Sequence, residues 1–136
     1  MNTLINRLQN SDLGILFIRF AIGIVFVHAG WLKLSDMEMV VTGFAAGGIP
    51  AFLAYVVAYG EFIGGILLIL GLWVRYAAIV IGIIMIVAIF KVHLVNGFGM
   101  SKGGFEYPLV LLLGALSIIT LGEGKYSVLR LFKNGN

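Results

Sequence analysis

The stretch that most constrains this chain runs from Ala51 to Leu72 and carries a single ionisable group, Glu61, near the middle of an otherwise largely apolar run. About twenty such residues cross the hydrocarbon core of a bilayer as one helix. A carboxylate at that depth is expensive unless it is paired or turned towards other helices. Gly60, Gly64 and Gly71 fall on roughly one helical face of the same run, with Gly65 beside them. Small residues let a neighbouring backbone approach closely. An acid that needs a partner and a glycine face that needs a helix both call for further spans.

The remainder of the chain supplies them. It is 61% hydrophobic and 11% charged, with a mean hydropathy of +1.10. A soluble domain carries roughly a quarter charged residues, and a soluble bundle of such runs would have almost no polar face for water. Spans are predicted at 13–34, 51–72, 77–94 and 105–121, giving an all-α, integral membrane four-helix bundle in one domain over residues 1–136. Met1–Asn10, the segment after Ser35, and Lys125–Asn136 are short amphipathic pieces expected to lie in the interface. Ser11 or Asp12 is expected to cap the first span, and Ser35-Asp36-Met37-Glu38 reads as a capping box. Trp73-Val74-Arg75-Tyr76 reads as a tight turn with interfacial anchors, and Pro108 falls in the first turn of the last span, where it is tolerated.

An even number of spans puts both termini on one side. That side holds Arg7, Arg75, Lys125, Arg130 and Lys133, against Lys33, Lys91 and Lys102 on the other, which predicts cytoplasmic termini. No removable signal peptide is read at the N-terminus. Cysteine is absent, which excludes thiol–disulfide exchange, Cys-ligated iron–sulfur clusters and thiolate zinc sites. The pI near 9.4 comes from basic residues that flank apolar runs without clustering, so no nucleic-acid partner is expected. Gly64-Gly65 has no basic neighbour and serves helix packing better than phosphate binding.

The polar residues inside the spans are the candidate site. Arg19, Gly23, Phe26, Gly30 and Lys33 share one face of the first span, with His28 almost opposite Arg19. Arg19 lies about 9 Å and Glu61 about 15 Å in from the ends of their helices, so an Arg19–Glu61 ion pair near the midplane is predicted. His28, Lys33, Lys91, His93 and Glu106 gather near the other ends of the spans as a candidate polar pocket. His28 is read as facing the bundle, and Lys33 and His93 as snorkelling to the headgroups. A haem between His28 and His93 fits their depths but is not expected, nor is a metal site built from His28, Glu61, His93 and Glu106.

In order along the chain, several stretches resemble the DoxX family of small membrane proteins. They are His28-Ala29-Gly30-Trp31-Leu32-Lys33, Gly47-Gly48-Ile49-Pro50, Glu61-Phe62-Ile63-Gly64-Gly65 and Leu70-Gly71-Leu72-Trp73-Val74-Arg75. His93, Phe105-Glu106-Tyr107 and Gly122-Glu123-Gly124 extend the resemblance to the tail. The resemblance implies a four-helix protein of the cytoplasmic (inner) membrane associated with redox and sulfur metabolism, one relative being a subunit of a thiosulfate:quinone oxidoreductase. Carried over by position, it marks Arg19, His28, Lys33, Glu61, His93 and Glu106 as functional candidates.

The leading expectation is an accessory or anchor subunit of a redox system that binds a small ligand, with quinone as a candidate, through Glu61, Arg19 and His28. With no cysteine, dinucleotide motif or convincing haem pair, electrons would come from a partner protein. A small-molecule permease with a Glu61–Arg19 gate, which would need a homo-oligomer, is the alternative, and a scaffold without ligand is a third.

Overall fold

The predicted apolar runs coil into helices because backbone polar groups have no water to bond in a bilayer and must pair within their own segment. The computed structural model describes residues 1–135, and among them there is no strand. Helices α1 (Asn2–Leu8), α2 (Ser11–Ser35), α3 (Met37–Ala46), α4 (Ala51–Leu70), α5 (Val74–Ala88), α6 (Glu106–Leu121) and α7 (Val128–Asn134) follow one another with short links, except for the longer connection between α5 and α6. By length and composition α2, α4 and the helical stretch Val74–Asn96 can each cross a membrane. α6 is also apolar but has only 16 residues, so the predicted fourth span is shorter than the stretches Ser11–Ser35, Ala51–Leu70 and Val74–Asn96.

The caps differ from those predicted. Asn10, not Ser11 or Asp12, caps α2, its Oδ1 accepting from the amides of Asp12 at 3.1 Å and Leu13 at 3.2 Å. Asp12 is thereby free to accept from the Lys125 amide at 3.0 Å, tying the C-terminal segment to the start of α2. The capping box is also not formed as read. Ser35 still belongs to α2, where its hydroxyl donates to the Trp31 carbonyl, and Asp36 caps α3 by accepting from Met39 N. α4 ends at Gly71, whose φ of +77° closes the helix in the left-handed conformation. Trp73, also left-handed at φ +45°, then reverses the chain into α5.

The glycines divide their labour. Gly23, Gly30 and Gly65 form the α2–α4 seam, where backbones nearly touch. A Cβ on Gly65 would lie 2.6 Å from Val27 N, and one on Gly30 would lie 2.5 Å from Phe62 N. Gly60 and Gly64 instead face Val80, Ile81 and Ile84 of α5. The single glycine face predicted for Gly60, Gly64 and Gly71 is therefore split, since Gly71 is a cap and packs no helix face. Ile22, Phe26, Leu68, Ala78, Ile81, Ala115 and Ile118 fill the core between α2, α4, α5 and α6. Phe17, Phe20, Ile63, Ile83, Val87 and Leu113 point outward, as a lipid-facing surface requires.

The third predicted span, 77–94, is not one regular helix. α5 gives way to a π turn at Ile89–His93 and then a 3₁₀ turn at Leu94–Asn96. The π turn lies where Lys91 and His93 leave the apolar run, and such turns often mark the working parts of helices.

Candidate functional site

Helix ends leave carbonyls without intrahelical partners, and in this bundle arginines supply them. Arg19, 1% exposed, donates from Nε to Leu68 O at 2.9 Å and from Nη2 to Ile69 O at 3.0 Å, both in the last turn of α4. Its Nη1 donates to Glu123 O at 2.8 Å and Tyr126 O at 2.6 Å in the segment that follows α6. Arg75 does the same on a smaller scale, reaching Ile119 O at 3.1 Å near the end of α6. Arg19 is a clasp that pins two chain segments at the end of the bundle where the termini lie.

The predicted Arg19–Glu61 ion pair is not formed. α2 and α4 run antiparallel in a register that sets Gly30 against Phe62 and Gly23 against Gly65 and Ile69. Arg19 is therefore level with Leu68 and Ile69, roughly two helical turns, or about 10 Å, beyond Glu61. The same register brings Lys33 to Glu61, with Nζ 2.7 Å from Oε2. Glu61 is 3% exposed and the Lys33 side chain 29%, so the ammonium reaches from the rim to a carboxylate inside the bundle. Lys33 does not snorkel. It turns inward to the opposite charge of Glu61, whose carboxylate is almost fully buried.

Beside this pair lies a cavity of about 610 Å³ between α2 and α6, floored by α5 and the π turn. Its walls are mostly apolar (Val25, Phe26, Ala29, Met85, Pro108 and Leu111 among them), and its polar groups are His28, Lys33, Glu61, His93 and Tyr107. His28 is an exposed residue at the rim and not bundle-facing as predicted, because the face of α2 that buries Arg19 and Phe26 leaves the opposite side outward. His93 is half-buried, with Nδ1 2.8 Å from the Gly103 carbonyl, which ties the π turn to the loop before α6. Glu106 stands outside the cavity and accepts from the Met100 amide at 3.0 Å, a loop-closing role. Lys91 is exposed and is not among the cavity-lining side chains.

Of the seven predicted polar candidates, the structure gathers His28, Lys33, Glu61 and His93 around one cavity and assigns Arg19 and Glu106 to holding the chain. No three His, Asp or Glu side chains converge as a metal site among the described residues. Tyr107 was not singled out from the sequence as a site residue. Its signal was its place next to Pro108 in the first turn of α6, which turns it towards the same end of the bundle as Lys33.

A family model described as DoxX matches residues 14–94. A protein of Bacillus subtilis (strain 168), named "Putative oxidoreductase CatD", is 34% identical over 133 residues, covering 94% of this chain and 96% of that protein. No solved structure matches.

Proposed function

Because the chain belongs to the DoxX family of membrane proteins, we propose that it acts as an accessory membrane subunit of a redox system and holds a quinone-class ligand beside the Lys33–Glu61 pair. The observation that carries this reading is a cavity of about 610 Å³ whose apolar walls end on a donor and an acceptor side by side. Small-molecule sites are commonly apolar clefts of some 300–1,000 Å³ with a few convergent polar groups. Lys33 Nζ suits a carbonyl oxygen and Glu61 Oε2 suits a hydroxyl, so the pair can hold an oxidised ring by its carbonyl and a reduced ring by its hydroxyl. His28 and His93, each able to donate or accept, stand around the same space.

The name of the Bacillus relative supports a redox setting, and the absence of cysteine favours a partner protein as electron carrier. The distribution of Lys and Arg supports termini in the cytoplasm, with the cavity towards the outer half of the cytoplasmic membrane.

The test is photolabelling with an azido-benzoquinone in nanodiscs, followed by peptide mapping. Labelling should concentrate on the segments holding His28–Lys33 and Tyr107–Leu111, and Glu61→Gln should remove most of it. Label spread evenly over the lipid-facing helices and indifferent to Glu61→Gln would overturn the proposal.

A further inference from the structure

The four long helices form a ring in which α2 packs on α4, α4 on α5, α5 on α6, and α6 returns to α2. The last seam is the thinnest. It is tight where Gly114 of α6 meets Ile22, a Cβ there falling 2.5 Å from Ile22 Cδ1. Beyond that contact, towards the end that holds Lys33, the helices part and the cavity occupies the gap.

Three residues on its lips are strongly exposed although they sit on apolar helices of the bundle: Ile24 (58%), Leu32 (55%) and Tyr107 (45%). Ile24 and Leu32 are separated by about 12 Å of helix rise, so the gap opens sideways over a substantial depth of the hydrocarbon core. His28 stands between them on the same outward face, with no hydrogen-bonding partner among the described residues. An imidazole turned to hydrocarbon is costly unless a polar group is delivered to it from that side.

From this continuity of lipid-facing gap, rim imidazole and inner ion pair, we infer that the ligand is a tailed amphiphile resident in the bilayer, which enters through the α2–α6 seam. Its head passes His28 to reach Lys33 and Glu61, and its tail stays between Ile24, Leu32 and Tyr107. The inference rests on the proposed ligand class but adds the route and the need for a tail. A water-soluble ligand would require neither an apolar lateral gap nor a polar residue on its lip.

The chain has no cysteine, so a single introduced thiol reports without background. Ala29→Cys on the cavity wall is labelled with bimane and reconstituted in nanodiscs whose phospholipids carry bromine midway along their acyl chains. Brominated lipid should quench more than half of the emission while aqueous iodide quenches little; Ser101→Cys, exposed in the loop before α6 and outside the cavity, is the aqueous reference. Leu32→Cys, on the exposed lip, serves should the Ala29 variant fail to fold. The bromine-dependent quenching, taken as the ratio of emission in brominated and unbrominated lipid so that quenching by the quinone itself cancels, should be relieved by decylubiquinone at a bilayer mole fraction at least tenfold below that needed with its tail-less parent benzoquinone. Quenching by iodide alone overturns the lateral route, and equal potency of the two quinones overturns the need for a tail. Strong lipid quenching that neither quinone relieves leaves the route standing and refutes the quinone reading instead.

Discussion

Replacing Arg19 by leucine should loosen the whole terminal end of the bundle. Four carbonyls lose a charged donor: Leu68 and Ile69 at the end of α4, and Glu123 and Tyr126 in the segment after α6. A hydrogen bond to a charged group contributes about 1.5–3 kcal/mol. Glu123 and Tyr126 lie in an irregular segment beyond the helix end, where water can replace the guanidinium, so the two α4 carbonyls dominate. We expect a loss of about 3–5 kcal/mol for Arg19→Leu. Arg19→Lys should cost roughly half as much, because one ammonium cannot span acceptors on two segments as the planar fork does. Equilibrium unfolding followed by the fluorescence of Trp73, two residues beyond the Gly71 cap, in a Trp31→Phe background measures the effect. Limited proteolysis at Lys125 should accelerate in parallel, since that residue is held by Asp12 and lies between two of the clasped carbonyls. If Arg19→Leu unfolds within about 1 kcal/mol of the parent and Lys125 stays protected, the clasp is not what holds this end.

The Lys33–Glu61 pair should behave asymmetrically. Lys33→Met leaves a 3%-exposed carboxylate unpartnered and should cost about 3 kcal/mol, the low end for a broken buried pair because the lysine is partly exposed. Glu61→Leu should cost less, because a released lysine can swing to water, and the double variant should recover most of the Lys33→Met loss. Additive single effects in the unfolding titration would mean the two side chains do not interact. Gly65→Ala should destabilise by about 1–3 kcal/mol, since its Cβ meets backbone atoms of α2 that cannot move aside. Gly14→Ala, with open space around it, should be neutral or stabilising by up to about 1 kcal/mol in the same unfolding titration.

Much of the architecture was readable from the length and composition of the apolar runs, because a helix that crosses lipid must be long and apolar. Which charges pair was not, since that depends on the register between α2 and α4. A shift of two turns exchanges Arg19 for Lys33 as the neighbour of Glu61, and the register is set by Gly23, Gly30 and Gly65 meeting backbone. The helix-end carbonyls that satisfy Arg19 carry no side-chain signature at all. His28 could have been placed correctly from its position opposite Arg19, since only one of the two can share the buried face. The π turn at Ile89–His93 follows an unbroken aliphatic run, and nothing in the residues marks it.

In the proposed function Glu61, held by Lys33, is the inner end of the ligand cavity. Perfusion-induced infrared difference spectroscopy of the reconstituted protein with decylubiquinone reads the state of that carboxyl group. A carboxyl band that shifts when the quinone is added and disappears in Glu61→Gln is the predicted result. A saturating quinone signal with no carboxyl change, or a carboxyl change that survives Glu61→Gln, would contradict it.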